Sequence, residues 1–355
     1  MKMTFRWYGE GIDLIPLSHI RQIPGVEGVV WSLHDTQAGE YWPMERILEV
    51  KEQAAKYGLN IDVVESVNVH EDIKLGLPSR EKYIENYKNT LRNLGKAGVK
   101  VVTYNFMPVF DWTRTDLYRI QPDGSTALFY EKAKVDGINP VEFMEKMLKQ
   151  EGLGDMPGWE PERLGKLKEL FKAYEGMTSD KLWDNLKYFL ETIIPVAEEE
   201  GIKMAIHPDD PPWDIFGLPR IITNRANLEK FLKLVDSPAN GLALCTGSLG
   251  ASENNNLPEI IRALGDRIYF AHIRNVKRFE NGDFTETSHR ACDGSLDIVE
   301  IVKAYHDIGY KYYVRPDHGR HIWDEKCRPG YGLYDRALGI MYMWGVWDTL
   351  EKLKK

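Results

Sequence analysis

Short runs of β-branched and aromatic residues recur along the chain, and several follow directly on a helical stretch that closes with glycine. The unit is clearest in KYGLNIDVV at Gly58, KAGVKVVTY at Gly98, EEGIKMAIH at Gly201 and DIGYKYYV at Gly309. Glycine just past a helix adopts the left-handed conformation without a Cβ clash, so the chain can turn back at once into a buried strand. Repeated helix–glycine–strand units predict a parallel sheet with crossover helices. Eight strands are expected, over 3–8, 26–33, 60–66, 99–107, 202–207, 241–246, 268–274 and 310–315. Helices are expected over 43–57, 79–97, 179–200 and 296–308. In the third of these, Leu182, Leu186, Phe189, Leu190, Ile193 and Ile194 fall on one face, as an amphipathic helix packed on a sheet requires.

Eight βα units predict an α/β fold, a (β/α)8 TIM barrel. An open doubly wound sheet is the competing topology, but no GxGxxG or P-loop follows any strand. The rhythm breaks once. Residues 108–178 are far longer than an ordinary βα loop and open with the aromatic-rich FDWTRTDLYR. With helices expected over 140–150 and 160–175, this segment reads as an insertion after strand four of a single domain spanning 1–355, covering the site or an interface.

Composition narrows the function classes. Hydrophobic residues make up 43% of the 355 and charged residues 28%, which is the balance of a globular protein with a large core. A net charge of −8 with no basic face argues against nucleic acid or an anionic membrane as partner. No apolar run reaches the length of a membrane span, and MKMTFRWYGE reads as a strand, not as a signal peptide. Three cysteines, Cys245, Cys292 and Cys327, fit a reducing, cytoplasmic compartment in which a special cysteine acts as ligand or nucleophile.

In a barrel of this kind the active site forms at the C-terminal ends of the strands. Strand five ends at His207, strand six at Cys245, strand seven carries His272 and Arg274, and strand eight ends in VRPDHGR with Arg315, Asp317 and His318. Imidazole, thiolate and carboxylate are all ligands for divalent metals, and closure of eight strands brings these ends to one point. Each has an ordinary explanation alone: a rim histidine in a hydrogen bond, a small buried cysteine, an aspartate capping a turn. Four arriving from consecutive strands point to a metal site of His207, Cys245, His272 and Asp317.

Arg274 and Arg315 suit bidentate capture of a substrate carboxylate, with rim ion pairs as the plain alternative. His318, an imidazole beside a cation, suits proton transfer. Tyr331 and Tyr334 in CRPGYGLYDRALG are candidate acids or substrate contacts. His289 and Asp293 lie in a loop that could reach the site, while Asn105 and His34 end strands four and two. Asp209 and Asp210 read as partners of the ligands or as caps. For Arg320, as for Arg315, a rim ion pair explains the position nearly as well as a role at the site.

The stretches MKMTFRWYG, IHPDDPPWDIFGLPRI, NGLALCTGSLGA, FAHIRNV, VRPDHGR and PGYGLYDRALG resemble the mannonate dehydratase family, over essentially the whole chain. The resemblance implies a barrel related to xylose isomerase. It also implies dehydration of D-mannonate to 2-dehydro-3-deoxy-D-gluconate in hexuronate breakdown. It further implies Mn²⁺, or Fe²⁺, on His207, Cys245, His272 and Asp317, with His318 and Tyr331 at catalytic positions and no organic cofactor. The expected partner is a sugar acid, and the expected assembly is a homo-oligomer, with a dimer favoured. A thiolate with two imidazoles ordinarily favours Zn²⁺ or Fe²⁺ over Mn²⁺, so the manganese expectation comes from the resemblance alone.

Overall fold

The computed structural model describes residues 1–137, 140, 143 and 166–354. Eight parallel strands close into a barrel: β1 (Lys2–Arg6), β2 (Val26–Trp31), β3 (Asn60–Glu65), β4 (Val101–Tyr104), β7 (Lys203–Ile206), β8 (Asn240–Cys245), β9 (Ile268–Ile273) and β12 (Tyr313–Pro316). Around the ring the neighbours run β1-β12-β9-β8-β7-β4-β3-β2, so consecutive barrel strands are adjacent and the last pairs with the first. All eight fall where the hydrophobic pattern puts them. The glycines of the repeated unit, Gly58, Gly98, Gly201 and Gly309, all have positive φ, between 64° and 83°. Among the described residues no helix is long and apolar enough to cross a membrane.

Alternation along the strands separates two cores. Val30, Val63, Val101, Ala205, Ala243, Tyr269, Phe270 and Tyr313 fill the barrel interior. Met3, Phe5, Val29, Val64, Val102 and Val314 face the helices in the larger outer core. The helix Ser179–Glu199 buries Leu182, Leu186, Phe189, Leu190, Ile193 and Ile194 as its periodicity requires, and Thr178 caps it by accepting from the Lys181 N–H.

The chain also forms a second sheet, which the sequence reading does not include. It is antiparallel, ordered β10-β11-β6-β5, and built from β5 (Asp116–Ile120), β6 (Thr126–Tyr130), β10 (Val276–Arg278) and β11 (Phe284–Glu286). It joins the segment after β4 to the loop after β9, through pairing of Phe284 with Tyr130. Both hairpins carry a turn signal: Asp123-Gly124 between β5 and β6, and Asn281-Gly282 between β10 and β11, each glycine at positive φ. The helix expected over 140–150 lies, apart from Pro140 and Phe143, outside the described residues, as does the first part of that expected over 160–175. The later part is the helix Leu167–Ala173.

Buried ion pairs tie this sheet to the barrel. Arg114, just before β5, reaches Asp210 after β7 at 2.8 Å and Glu286 of β11 at 2.7 Å, all three side chains being at most 1% exposed. Removing one partner of such a network strands a charge without water. Glu286→Ala is therefore expected to cost ~3 kcal/mol or more, read as a fall in the unfolding midpoint in urea. A change below about 1 kcal/mol would mean that the remaining acids compensate Arg114 and Arg274 fully.

Candidate active site

Strand termini place the four metal-ligand candidates. His207 directly follows β7, Cys245 ends β8, His272 is the penultimate residue of β9, and Asp317 follows β12. The registers Cys245↔His272 and His272↔Arg315 level these ends on adjacent strands. One donor atom from each of His207, Cys245, His272 and Asp317 lies within 4.8 Å of all the others.

The surroundings fit a cation. His272 is fully buried, yet neither ring nitrogen has a hydrogen bond. His207 uses Nδ1 on the Pro208 carbonyl at 2.7 Å; because a carbonyl only accepts, Nδ1 carries the proton and Nε2 keeps its lone pair. The Cys245 sulfur lies 3.3 Å from Asp317 Oδ2 and accepts the Ser248 N–H. Burial opposes ionisation of Asp317, but His318, Arg315, Arg274 and His272 together hold it well below the usual carboxylate range. Two imidazoles, a thiolate and a carboxylate form a donor set for a divalent transition metal.

Beside the cluster is a cavity that opens to solvent. His318, Tyr331, Arg274, Arg315, Asn105 and Asp210 line it, with His207 and Asp317. His318 Nε2 is 3.1 Å from the Tyr331 hydroxyl. Its Nδ1 lies 2.7 Å from Arg274 Nη1 and 3.3 Å from Glu286 Oε1. A guanidinium can only donate, so the shorter contact leaves Nδ1 bare and the proton on Nε2, directed at Tyr331. Burial and the Arg274 charge lower the His318 pKa, against Asp317 and Glu286, while burial raises that of Tyr331 well above its ordinary value.

The two arginines expected to meet a substrate anion both line the cavity, but acids already occupy them. Arg315 forms a two-point pair with Glu65, at 2.9 and 2.8 Å, and reaches Asp317 Oδ1 at 2.8 Å. Arg274 pairs with Asp210 at 2.7 Å and Asp317 at 3.2 Å. Both therefore match the plain ion-pair alternative.

Two expected substrate contacts lie elsewhere. Tyr334 is 43% exposed and packs on the Trp323 ring, because it sits on the outward side of the first turn of the helix Leu333–Leu353. His289 is buried outside the cavity lining, with Nε2 on the Ile273 carbonyl and Nδ1 against Gly339. Asn105 does line the cavity and donates to Asp111 at 3.0 Å. His34 contacts Arg6 and Tyr8, Asp209 accepts the Ile222 N–H, and Asp293 accepts from Ser288 in an exposed turn. Arg320 is paired with Asp335 and Asp123.

Sequence reading passes over Glu65, Arg6, Tyr8, Trp112 and Glu286. Glu65 ends β3, with Oε1 3.3 Å from His272 Nε2, and Arg6 ends β1. Strand-end position alone could have found both.

The segment carrying Tyr331 is held by His321. Its Nε2 accepts the Gly330 N–H at 2.9 Å, so the proton sits on Nδ1, which meets Thr126 Oγ1 at 3.1 Å. Burial pushes this imidazole down to about 4. The unfolded chain, with histidine near ~6.5, then binds a proton that the native state refuses. Stability is full above ~6.5 and is lost as pH falls towards 4, by roughly 3 kcal/mol for this group. Between pH 7 and pH 4 the parent protein is expected to lose that much more stability than His321→Gln, in urea unfolding at each pH. Equal losses would remove His321 from the account.

Residues 1–355 match the family described as D-mannonate dehydratase (UxuA). The chain is 77% identical over 353 residues to a mannonate dehydratase of Endomicrobium trichonymphae, covering 99% of this chain and 97% of that one. The crystal structure of mannonate dehydratase from Streptococcus suis serotype 2 superposes with a TM-score of 0.90 at 44% identity, covering 100% of this chain and 96% of that one. A 3-keto-D-glucoside 4-epimerase from E. coli, 14% identical with a TM-score of 0.58 and covering 97% of this chain and 99% of that one, shares the fold alone.

Proposed function

The chain belongs to the D-mannonate dehydratase family, and from that premise we propose that it removes water from D-mannonate to give 2-dehydro-3-deoxy-D-gluconate, in hexuronate breakdown. The observation that carries the reading is the convergence of His207, Cys245, His272 and Asp317 within 4.8 Å, beside a cavity lined by a hydrogen-bonded His318–Tyr331 pair.

The chemistry sets the demands. The C2 proton of an aldonate is weakly acidic because the neighbouring carboxylate is already charged, so its removal builds a second negative charge. The 3-hydroxyl is a poor leaving group and departs only when protonated. His207, Cys245, His272 and Asp317 would hold a divalent cation, which when bound offsets the charge developing at C1 and C2. We assign Mn²⁺ from the family resemblance; the thiolate donor also suits Fe²⁺.

His318 and Tyr331 divide the two proton transfers between them. One takes the proton from C2 and the other returns one to the departing 3-hydroxyl, and the hydrogen bond that joins them lets the pair reset as a unit. The resulting enol tautomerises to the keto acid. Trp112, with its ring centroid 4.6 Å from that of His318, packs against the buried imidazole. Arg315 and Arg274 keep Asp317 ionised and Asp210 and Glu286 neutralised.

Product identity tests the reading. A 2-keto-3-deoxy acid gives a thiobarbituric acid colour, and the protein is expected to produce it from D-mannonate with added Mn²⁺. A keto sugar acid isomer or a C2 epimer, without that colour, would instead support a sugar isomerase or epimerase on the same rim.

A further inference from the structure

We propose that Arg6 binds the substrate carboxylate, an inference that rests on reading the substrate as an aldonate. Three arginines line the cavity, and the charges of two are matched by acids: Arg315 by Glu65 and Asp317, Arg274 by Asp210 and Asp317. Arg6 alone of the three has no carboxylate within 4 Å among the described residues. Its Nη1 donates to the Val30 carbonyl at 3.0 Å, and its Nη2 meets His34 Nε2 at 3.1 Å. A guanidinium only donates, so His34 presents a lone pair there and is neutral on that nitrogen.

Arg6 is only 4% exposed, so its charge receives little compensation from water outside the cavity. Its neighbours add positive charge. Tyr8 lies between two guanidiniums, with Arg6 4.5 Å and Arg328 4.4 Å from its ring centroid. Arg6 therefore brings to the cavity a charge that no described acid within 4 Å matches, whereas Arg274 and Arg315 face carboxylates. A bound anion is the missing partner.

Arg6 ends β1, and its guanidinium is directed to the β2 side, at the Val30 carbonyl and His34. Met3 and Phe5 belong to the outer core, so Thr4 and Arg6 alternate towards the barrel interior. Arg6 and Asp317 line the same cavity, so a substrate bound there can set its carboxylate on Arg6. The cation–π contact and two hydrogen bonds hold the guanidinium in place beforehand, so binding orders little that is not already ordered. Arg6 would thus select sugar acids over neutral sugars of the same length.

The test uses the Mn²⁺-loaded protein. Arg6→Gln is expected to raise KM for D-mannonate about 30-fold or more, the loss of a charge-assisted hydrogen-bonded contact, with metal content unchanged. Arg6→Lys, which keeps the charge but not the fork, is expected to fall between Gln and the parent. A KM within about threefold of the parent in Arg6→Gln overturns the proposal. So do equal losses in both variants accompanied by loss of metal, the mark of a structural role. If Arg6→Gln does not fold, Arg6→Lys decides: a KM rise of about fivefold or more supports the proposal, and a smaller one overturns it. If the parent does not turn over D-mannonate, calorimetric titration separates the two claims. Binding by the parent that is weakened about tenfold or more in the variant keeps Arg6 and discards the dehydratase reading. No binding by the parent, or unweakened binding by the variant, overturns the Arg6 assignment.

Discussion

Asp317→Ala is expected to abolish turnover of D-mannonate, to below ~10⁻⁴ of the parent rate, and to reduce bound metal to background. Asp317 does two things at once. It supplies one of the four converging donor atoms, and it balances Arg315 at 2.8 Å and Arg274 at 3.2 Å, both buried. Alanine takes away the ligand and leaves two guanidiniums short of a counter-charge, at a cost of about 3–5 kcal/mol in stability. Asp317→Asn separates the two effects. It keeps the shape and one acceptor but not the charge, so metal binding and rate should still collapse while folding survives at reduced stability. Metal analysis, turnover and urea unfolding on both variants read these separately. Full metal occupancy in either would contradict the ligand assignment.

His318→Gln and Tyr331→Phe are each expected to lower turnover by ~10²–10⁴ with metal content unchanged, the range for loss of a positioned acid or base. Because the two side chains are joined by one hydrogen bond of 3.1 Å, the double variant should cost little more than the worse single one. Each substitution is close in size to the original, and neither residue donates to the ligand cluster. Normal metal with turnover within about tenfold of the parent removes that residue from the mechanism. Multiplying losses in the double variant would mean that the two act independently.

The eight barrel strands were legible because each is a β-rich run set off by helix-ending glycines, a local signal that tertiary packing reinforces. The small sheet was not read, although Asp123-Gly124 and Asn281-Gly282 mark its hairpins. Its strands are three to five residues long, and two of them pair across more than a hundred residues of sequence, which no local pattern encodes. Strand-end position brought His207, Cys245, His272, Asp317 and His318 into view, because the barrel forces those ends together. It left Arg315 and Arg274 between substrate capture and ion pairing, because their partners Glu65, Asp210 and Glu286 come from other strands and loops that no local pattern places beside them. Tyr331 and Tyr334 share one motif, and only the start of the final helix at Leu333 turns the second away from the cavity.

Dehydration of D-mannonate is expected to depend on a metal held by His207, Cys245, His272 and Asp317. The most direct measurement strips the purified protein with a chelator, divides it, restores Mn²⁺ to one half, and follows formation of 2-dehydro-3-deoxy-D-gluconate from D-mannonate in both. Product is expected only in the restored half. Equal product in the stripped half, or none in a restored half with metal bound, would contradict it.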